Sequence, residues 1–371
     1  MSRRGENIYK RKDGRWEGRY KTGTGANGRT QYKSCYGKTY REVKSKLEQC
    51  RQTPRSELVK ARSFTNHFGA YCDEWLAVNR DKVKESTLAK YHAALKNHIK
   101  PYFGKYSPEM ITTEQTADFL NEIIHIKHLS AKTAKDLAVL LKTILKYIAK
   151  SNSNMRLIDV SMPKTKAREI RVLSKEEQDG FVNYLLQDMD MYKFGVLFAL
   201  MTGLRIGEVC ALRAGDINMA EKTVTVRETV QRIKNLDGNS SKTKIVFTTP
   251  KSNTSARVVP LTNTAYMLCK INTGKTPPNA FLLTGKEDKV IEPRTLQYHI
   301  KRYSKACGIE DMHFHVLRHT FATRCVEVGF EIKSLSEVLG HSSPQITLER
   351  YVHSSLELKR QNMTKLEAIG W

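Results

Sequence analysis

One short stretch of the chain carries four residues that together can bind a phosphate and attack it. Residues 315–351 read HVLRHTFATRCVEVGFEIKSLSEVLGHSSPQITLERY and include His315, Arg318, His341 and Tyr351. His315 and Arg318 are three residues apart, so on a helix they share a face, where they can hold two oxygens of one phosphodiester. The phenol of Tyr351 is a weak acid that needs nearby cations and a base or hydrogen-bond partner. The pattern predicts phosphoryl transfer with Tyr351 as the nucleophile.

Two upstream segments supply further cations. In FALMTGLRIGEVCAL, Arg205 follows Gly203 at a predicted boundary between two helices. The apolar residues after Arg205 lie at helical spacing, so its own side chain is expected to point away from the core. In IVFTTPKSNTSARVVPL, two predicted strands are joined by a polar turn with Lys251 at its rim. An ammonium at that position can reach into a cleft, which makes Lys251 a candidate proton donor.

Four motifs, TGLRIGEVCAL, TPKSNTSARVVPL, HVLRHTFAT and LGHSSPQITLERY, resemble the tyrosine recombinase (integrase) family in their order and spacing. The resemblance spans roughly residues 170–355, and it is greatest to the integrases of conjugative transposons. Each motif is weak alone, but four in order are specific. The resemblance implies that Arg205 and Arg318 clamp the phosphate and that Tyr351 is the nucleophile. It also implies that Lys251 is the general acid, that His315 is a base or a phosphate ligand, and that His341 is a second phosphate ligand.

Two further residues lie beside these motifs. Glu208 is three residues after Arg205, where the family has an acid, and is expected to orient that arginine; a solvated helix charge is almost as well supported. His319 follows Arg318 and is assigned to a different helix face from His315. It is therefore interpreted as a structural, hydrogen-bonding histidine and not as part of the catalytic set.

The composition favours a polyanionic partner. The formal net charge is +25, from 63 Lys and Arg against 38 Asp and Glu. Nucleic acid is the leading candidate, and an acidic membrane surface is the alternative. No apolar run approaches the roughly 20 residues of a spanning helix, and the N-terminus has no apolar signal-peptide region. We expect a cytoplasmic protein that does not bind a membrane, and the resemblance implies a bacterial or phage origin.

The cysteine and histidine patterns predict neither disulfides nor a metal. Seven cysteines are an odd number, widely scattered and without a CxxC pair, so reduced thiols are expected. No histidine is grouped with carboxylates at the spacing of metal ligands. The predicted chemistry therefore uses no metal and no cofactor.

At 371 residues the chain suits two or three domains. The predicted fold is multidomain: a small three-stranded β plus helix N-terminal domain, an all-α core-binding bundle, and a mixed α+β catalytic domain of the tyrosine-recombinase type. The predicted boundaries are 1–62 for the arm-type DNA-binding domain, 63–155 for the helical, SAM-like core-binding domain, 156–170 for a linker, and 171–371 for the catalytic domain with its C-terminal tail.

The N-terminal segment combines aromatic strands with basic residues. Residues 1–62 carry 18 Lys and Arg against 6 Asp and Glu, and three predicted strands are separated by the turns KDG and TGTGANG. The resemblance here is to arm-binding domains of integrases, whose sheet would present basic side chains to DNA. The alternative is a solvated basic sheet with Trp16 in its core. The candidate DNA contacts are Arg15, Arg19, Lys21 and Lys33.

Four amphipathic helices are predicted in residues 63–155, each behind a Ser or Thr cap, with Pro101 and Gly104 as helix breakers. The second and fourth helices carry several lysines, so one face of the bundle could lie along a phosphate backbone. A face that is only solvated fits the pattern nearly as well. Resemblance to the core-binding domain of the family favours DNA. The candidate contacts are Lys90, Lys96, Lys132 and Lys135.

The catalytic domain is predicted to mix helices with strands in KTVTVRETVQRI, KIVFTTPKS and ARVVPL, the first two joined by the hairpin segment KNLDGNSSKTK. After Tyr351, the tail is predicted to form a short helix that docks on a neighbouring subunit, with docking on its own subunit as the alternative.

The resemblance implies a site-specific recombinase that integrates and excises a mobile element. Tyr351 would form a 3′-phosphotyrosyl bond to duplex DNA, and the 5′-hydroxyl of a second DNA would then resolve it. The implied partners are duplex DNA at core and arm sites, a dimer or tetramer of the chain itself, and an excision factor. Two alternatives stay open: DNA relaxation like that of a type IB topoisomerase, and a catalytically silent DNA-binding regulator. The separate basic N-terminal segment favours the integrase.

Overall fold

The computed structural model describes residues 7–11, 13–24, 30–52, 67–151, 155, 157–164, 170–236, 241–248, 256–273, 276–351, 360 and 363–364. The chain divides into two compact units, Met1–Thr165 and Lys166–Trp371, and the division falls within the predicted linker. Lys251 and nearly all of the predicted tail lie outside the described residues.

The first unit begins with a three-stranded antiparallel sheet in the order β1-β2-β3, followed by a helix, as predicted. These elements are β1 Ile8–Lys10, β2 Trp16–Thr24, β3 Thr30–Gly37 and α1 Tyr40–Gln52. Ile8 is buried with Val43 and Leu47 between sheet and helix, and Trp16 packs at the edge of this core. A Cβ on Gly18 would lie 2.5 Å from Leu47 Cδ1. The close packing of α1 on β2 therefore requires glycine at position 18.

The rest of the first unit is helical, as predicted. Its α-helices are α2 Phe68–Val78, α3 Glu85–Ala94, α4 Lys100–Phe103, α5 Thr113–Asn121 and α6 Ala131–Ser151. Two π-helical turns, Leu95–Ile99 and Glu122–Ile126, extend α3 and α5. Along α6 the buried side chains recur at helical spacing and form one wall of an apolar core.

Pro101 does not break the second predicted helix. The π-helical turn Leu95–Ile99 leads directly into α4, where Pro101 occupies the first turn. The π-helical turn has already shifted the hydrogen-bond ladder, since the amide of Lys100 bonds to the carbonyl of Leu95, so the regular helical pattern is interrupted just before the proline without an N–H. The helical run ends only at Gly104, the other predicted breaker.

The predicted caps hold for two of the four helices. Thr112 forms a capping box at the start of α5, and Ser130 Oγ accepts a hydrogen bond from the amide of Thr133 in the first turn of α6. Helices α2 and α3 instead follow His67 and Lys84, neither of which makes a side-chain cap. Packing of the apolar faces replaces capping as the reason that these helices form.

The second unit is mixed α and β, as predicted. Its helices are α7 Lys175–Leu186, α8 Met191–Thr202, α9 Ile206–Ala211, α10 Asn263–Thr273, α11 Pro293–Ala306, α12 Phe314–Glu327, α13 Ile332–Leu339 and α14 Pro344–Tyr351. Its strands are β4 Ile217–Asn218, β5 Thr223–Val226, β6 Thr229–Lys234, β7 Thr243–Thr248 and β8 Arg257–Pro260. Helix α8 is buried on almost every side and contacts α7, α9, α10, α11 and α12. It forms the centre of the core.

The strands of this unit form two separate small sheets. Strands β4, β5 and β8 pair in that order, and β6 pairs with β7 as the predicted hairpin. The predicted strand KTVTVRETVQRI is split into β5 and β6. Val224 and Val226 face the core, and a continuous strand would turn the charged Glu228 inward after them, so the strand ends at Val226.

The described residues contain no helix that is both long enough and apolar enough to cross a bilayer.

Candidate active site

Two helix ends form the framework of the candidate site. Helices α8 and α13 both terminate in a left-handed glycine, Gly203 with φ 67° and Gly340 with φ 63°. Glycine adopts this conformation without steric cost, and it turns the chain sharply away from the helix. A Cβ on Gly203 would lie 2.5 Å from Phe321 Cδ1, and one on Gly340 would lie 2.9 Å from Arg257 Nη1. Both positions therefore also need glycine for space.

Arg318 is held between these two ends. It projects from α12 and is only 4% exposed. Its Nη1 donates to the carbonyl of Gly203 at 2.8 Å, and its Nη2 donates to the carbonyl of Leu339 at 2.6 Å. Helix C-terminal carbonyls carry partial negative charge and suit a guanidinium. Two acceptors use two of the five N–H groups of Arg318, which leaves donors for an anion.

Arg205 occupies the N-cap position of α9, at the predicted boundary between two helices. Its Nη1 donates to Glu208 Oε1 at 2.8 Å, and its Nη2 donates to the carbonyl of Gly340 at 3.1 Å. Glu208 Oε2 also accepts from the backbone amide of Arg205 at 2.9 Å. The side chain of Arg205 is 36% exposed, so it is the arginine with the most open access to a ligand.

Arg257 is a third arginine of the cluster, and the sequence reasoning missed it. It opens β8, is 8% exposed, and donates from Nη2 to Glu208 Oε2 at 2.9 Å and from Nε to the carbonyl of Val338 at 2.6 Å. A signal was present in ARVVPL, because strand alternation puts Arg257 on the same face as buried Val259. An arginine at a core position needs an acidic or carbonyl partner.

Tyr351 lies at the end of α14 and is 5% exposed. Its ring packs in an apolar cluster with Ala322, Cys325, Leu335 and Leu339. Burial raises the pKa of the Tyr351 phenol, and the charge of Arg318 acts in the opposite direction. The hydroxyl therefore stays protonated at neutral pH and needs a proton acceptor before it can attack.

His319, interpreted from the sequence as a structural, hydrogen-bonding histidine outside the catalytic set, contacts Tyr351. Its Nδ1 lies 2.9 Å from the Tyr351 hydroxyl oxygen. The assignment of His319 to a different helix face from His315 is wrong, since residues four apart share a face and the two ring centroids are 6.3 Å apart. The i, i+4 spacing of these histidines was the signal that could have placed His319 in the site.

His341 and His315 lie on either side of this pair. The His341 ring is parallel to that of Tyr351, with centroids 6.3 Å apart and an interplanar angle of 5°. Its Nδ1 lies 2.8 Å from the hydroxyl oxygen of Thr347, which fixes the ring and leaves Nε2 for another partner. His315, in the first turn of α12, is exposed.

The histidines of the site are held in the neutral form. Burial, followed by the charge of Arg318, lowers the pKa of His341 to about 3. Burial, followed by the charge of His315, lowers the pKa of His319 to about 4. Desolvation of the part of the His315 ring that faces the protein, followed by the charge of Arg318, lowers the pKa of His315. The arginines that help to keep these histidines neutral make the site positively charged, so the site favours an anion.

The structure thus brings together five of the six residues of the predicted catalytic set, namely Arg205, His315, Arg318, His341 and Tyr351, with Glu208 beneath them. Lys251, the sixth, lies in the connection between β7 and β8, outside the described residues. In the part of the chain that the structure describes, no group of three or more His, Cys, Asp or Glu residues could hold a metal ion.

Comparison with known proteins is consistent with this arrangement. The phage integrase family matches residues 171–357, which is half of the chain and includes every arginine, histidine and tyrosine of the site. The chain belongs to the phage integrase family. The N-terminal SAM-like domain of phage integrases matches residues 67–124, within the helical part of the first unit. The prediction of a tyrosine site-specific recombinase is confirmed.

Relatives match over nearly the whole chain. A tyrosine recombinase XerC-like protein of Caldanaerobacter subterraneus is 28% identical over 89% of this chain and 90% of its own length. The ICEBs1 integrase of Bacillus subtilis is 23% identical over 93% of this chain and 94% of its own length.

Solved structures show the same fold. The Tn1549 transposon integrase in complex with transposon right end DNA is 18% identical, with a TM-score of 0.67 over 81% of this chain and 99% of that one. A lambda integrase dimer bound to a COC′ core site is 17% identical, with a TM-score of 0.58 over 95% of this chain and 97% of that one.

The N-terminal sheet of this family member carries a second polar cluster, centred on Glu17. Tyr9, Glu17 and Tyr36 are cross-strand neighbours on the face opposite α1. Glu17 is 2% exposed and accepts hydrogen bonds from Ser34 Oγ at 2.7 Å, Arg11 Nη1 at 2.9 Å and Arg19 Nε at 3.1 Å. The hydrogen bond from Ser34, then those from the arginines and tyrosine around it, lower the pKa of Glu17 to about 2.

The basic residues over Glu17 are exposed and stack on aromatic rings. The guanidinium of Arg19 lies 5.4 Å from the centroid of Tyr9, and those of Arg11 and Arg15 lie 5.7 and 6.0 Å from the centroid of Tyr36. Arg15 also pairs with exposed Asp13. Of the four predicted DNA contacts in this domain, Arg15 and Arg19 thus share one face, whereas the side chains of Lys21 and Lys33 lie outside what the structure describes.

In the helical bundle, the predicted contacts Lys90, Lys96, Lys132 and Lys135 are all exposed. Lys90 lines an open groove of about 510 Å³ between the α3 and α6 segments. Two other lysines of the bundle, Lys100 and Lys142, form ion pairs with Asp73 and Asp159, so less of their charge is available to a ligand.

Proposed function

We propose that this recombinase cuts and rejoins duplex DNA through a covalent bond between Tyr351 and a 3′-phosphate, and that it integrates and excises a mobile element. Tyr351 Oη attacks the scissile phosphorus, and the bond between that phosphorus and the 5′-oxygen breaks. The phosphodiester energy is retained in the phosphotyrosyl bond. The 5′-hydroxyl of a second DNA then attacks that bond and releases Tyr351.

The observation that carries this proposal is the arrangement of Arg205, Arg318 and the Tyr351 hydroxyl around one cationic, half-open pocket. Arg318 lies close enough to the hydroxyl to affect its pKa both by charge and by hydrogen bonding. A phosphate that accepts hydrogen bonds from both arginines would therefore lie beside the phenol that must attack it.

The charge of the pocket suits the reaction. Arg205, Arg257 and Arg318 contribute three positive charges, and Glu208 removes one. Two net positive charges match the two negative charges that a phosphodiester acquires as a phenolate adds to it. Fixed donors aimed at developing charge are worth about 3 kcal/mol or more each in other enzymes.

The remaining roles follow from position and chemistry. Lys251 protonates the leaving 5′-oxygen, His341 donates from Nε2 to a phosphate oxygen, and exposed His315 binds phosphate at the mouth of the pocket. Glu208 holds Arg205 and does not touch the substrate. No step needs a metal ion or a bound cofactor.

A suicide substrate tests the proposal. The substrate is core-site DNA with a nick just beyond the scissile phosphate. Cleavage releases the short fragment that carries the new 5′-hydroxyl, so the covalent complex accumulates and is measured on a denaturing gel. The expected result is one adduct, mapped by mass spectrometry to Tyr351, and none with Tyr351→Phe, while both proteins bind the DNA with similar affinity. An adduct on another residue would reject Tyr351 as the nucleophile.

A second duplex with a free 5′-hydroxyl distinguishes recombination from the alternatives. A recombinase transfers the trapped strand to this duplex, whereas a topoisomerase-like enzyme rejoins only its own strand, and a silent regulator forms no adduct. Relatives named as a tyrosine recombinase and as the ICEBs1 integrase support the first outcome.

The domain organisation fits an enzyme that binds two kinds of DNA site. The basic, aromatic face over Glu17 would bind arm sites, and the exposed lysines of the bundle would bind the core site together with the catalytic unit. Two or four copies would assemble on paired sites, with an excision factor as a further partner. Because the substrate is chromosomal or phage DNA, the protein works in the bacterial cytoplasm.

A further inference from the structure

Cleavage requires the Tyr351 hydroxyl to lose its proton, and the site offers two histidines for it. His315 is exposed at the start of α12, and no ring nitrogen of His315 reaches the hydroxyl among the described hydrogen bonds. His319 Nδ1 lies 2.9 Å from that oxygen. Hydrogen-bond reach of the proton is the first geometric test for a general base, and His319 meets it in the structure.

We propose that His319 is the proton acceptor for Tyr351, a catalytic role that rests on the proposed phosphotyrosyl chemistry. The Tyr351 O–H bond breaks as the bond from oxygen to phosphorus forms, and the proton moves to His319 Nδ1. The electron pair of the broken bond to the 5′-oxygen leaves with that oxygen, which takes its own proton from Lys251. In the second half of the reaction, the imidazolium of His319 returns its proton to the departing phenolate.

The surroundings of His319 hold it ready to accept. A neutral imidazole with its hydrogen on Nε2 presents a lone pair at Nδ1. Burial, His315, Arg350, His313 and Arg318 all disfavour its protonated form in the free protein. These groups lie on α12 and α14, the two helices that carry His319 and Tyr351.

Substrate binding makes the transfer easier. A phosphate bound at Arg318 brings negative charge next to the cations that repel the imidazolium, so the pKa of His319 rises toward its usual value when DNA is bound. The base thus gains strength only when there is a phosphate to attack. In the free protein the same histidine leaves Tyr351 protonated and unreactive.

The orientation of Tyr351 supports the same conclusion. Its ring packs in the apolar cluster and lies parallel to the ring of His341. Arg318 and His319 are adjacent residues of one helix. Arg318 therefore offers hydrogen-bond donors to the phosphate, and His319 offers a proton acceptor, beside the same Tyr351 hydroxyl. A rigid pairing of this kind reduces the entropic cost of reaching the transition state.

His319→Asn is the decisive variant, because its side-chain oxygen can accept a hydrogen bond near the Nδ1 position but has no basicity. We expect the single-turnover rate of adduct formation on the suicide substrate to fall by about 100-fold or more, with unchanged DNA affinity. His313→Asn, at the start of the same helix, is the control: it removes only a minor charge effect on His319 and should change the rate far less than His319→Asn does. A rate for His319→Asn equal to or above that of the wild type at every pH overturns the proposal.

A pH profile tests the proposal without relying on a variant of His319. The wild-type rate should fall tenfold per pH unit below a pKa that lies between the value of about 4 for the free protein and the ordinary histidine value of about 6.5. His315→Asn should be slower but keep this acid limb. If the limb disappears in His315→Asn, His315 is the acceptor and the proposal is wrong. Absence of any Tyr351 adduct in the wild type would instead reject the proposed function.

Discussion

Glu208 and Arg257 form an almost fully buried ion pair beside Arg205, with Arg257 Nη2 2.9 Å from Glu208 Oε2 and Nη1 3.2 Å from Oε1. The same carboxylate accepts two hydrogen bonds from Arg205. One acidic side chain therefore joins α9, which begins after Arg205, to β8, which begins at Arg257. Its negative charge also offsets the repulsion between the guanidinium groups of Arg205 and Arg257.

Glu208→Gln should destabilise the catalytic unit by about 3–5 kcal/mol, because it leaves buried Arg257 without its counter-charge. Amide hydrogen exchange across α9 and β8 in the full chain measures the change in opening free energy. Glu292→Gln is the control, since Glu292 makes a comparable two-contact pair with Arg232 at a more exposed position. That variant should cost about 1 kcal/mol or less. Equal losses of stability in the two variants would show that burial does not determine how much the Glu208–Arg257 pair contributes to stability.

Low pH should remove the contribution of Glu208 to the stability of the catalytic unit. Hydrogen bonding and charge from Arg257 outweigh the effect of burial and lower the pKa of Glu208 from its usual 4.5 to about 2. A carboxylate with a depressed folded-state pKa stabilises the fold above its unfolded value, and this contribution is lost as pH falls through the folded value. The difference in opening free energy between wild type and Glu208→Gln should therefore shrink between about pH 4.5 and pH 2. A difference that stays constant would contradict the ionised state of Glu208.

Lys251→Ala should slow cleavage of ordinary DNA but not of DNA whose leaving 5′-oxygen is replaced by sulfur. A thiolate leaves without a proton, so a general acid is no longer needed. Rates of adduct formation on the two substrates measure this directly. Arg205→Ala is the control: it should slow both substrates, because sulfur does not replace a phosphate clamp. If Lys251→Ala is slow on both, Lys251 binds phosphate and is not the acid.

Sequence motifs singled out Arg205, His315, Arg318, His341 and Tyr351, which the structure brings together, because the types and order of these residues are specific. They missed Arg257, whose partner Glu208 lies 49 positions away in the chain and meets it only in the folded unit. They also misplaced His319, since helical spacing alone does not say where a later helix will put its tyrosine. Long-range packing decided both contacts.

The same limit applied to the fold. The presence and type of most elements followed from periodicity and turn residues, as in the three N-terminal strands and α1. Pro101 was misread as a breaker, because the π-helical turn before it cannot be seen in the sequence. The pairing of β8 with β5, and not with its sequence neighbour β7, was likewise beyond a local pattern.

Deleting the tail from residue 357 onward should weaken cooperative assembly on paired DNA sites while leaving DNA binding by single subunits intact. Leu356, Met363, Leu366 and Ile369 recur at helical spacing, and Met363 is 64% exposed. An apolar stripe this short needs another surface to be stable. Analytical ultracentrifugation on one-site and two-site DNA measures assembly. Unchanged cooperativity on two-site DNA would show that the tail does not dock on a neighbouring subunit.

Glu17→Gln should lower the preference of the chain for arm sites over unrelated DNA. Glu17 fixes the direction of Arg11 and Arg19 on the exposed face, and without its charge both side chains become mobile. Removal of a negative charge should at the same time strengthen binding to unrelated DNA, because that binding depends on net charge alone. Competition titrations at one fixed salt concentration give the ratio of the two affinities. Asp13→Asn makes the same change of charge on this face but removes only exposed ion pairs, a close one with Arg15 at 2.8 Å and a looser one with Arg11 at 3.5 Å, and it leaves in place the hydrogen bonds that Glu17 accepts from Arg11 and Arg19. It should therefore strengthen binding to both DNAs and change their ratio much less. If the two variants lower the ratio equally, net charge and not the orientation of the arginines by Glu17 determines the preference.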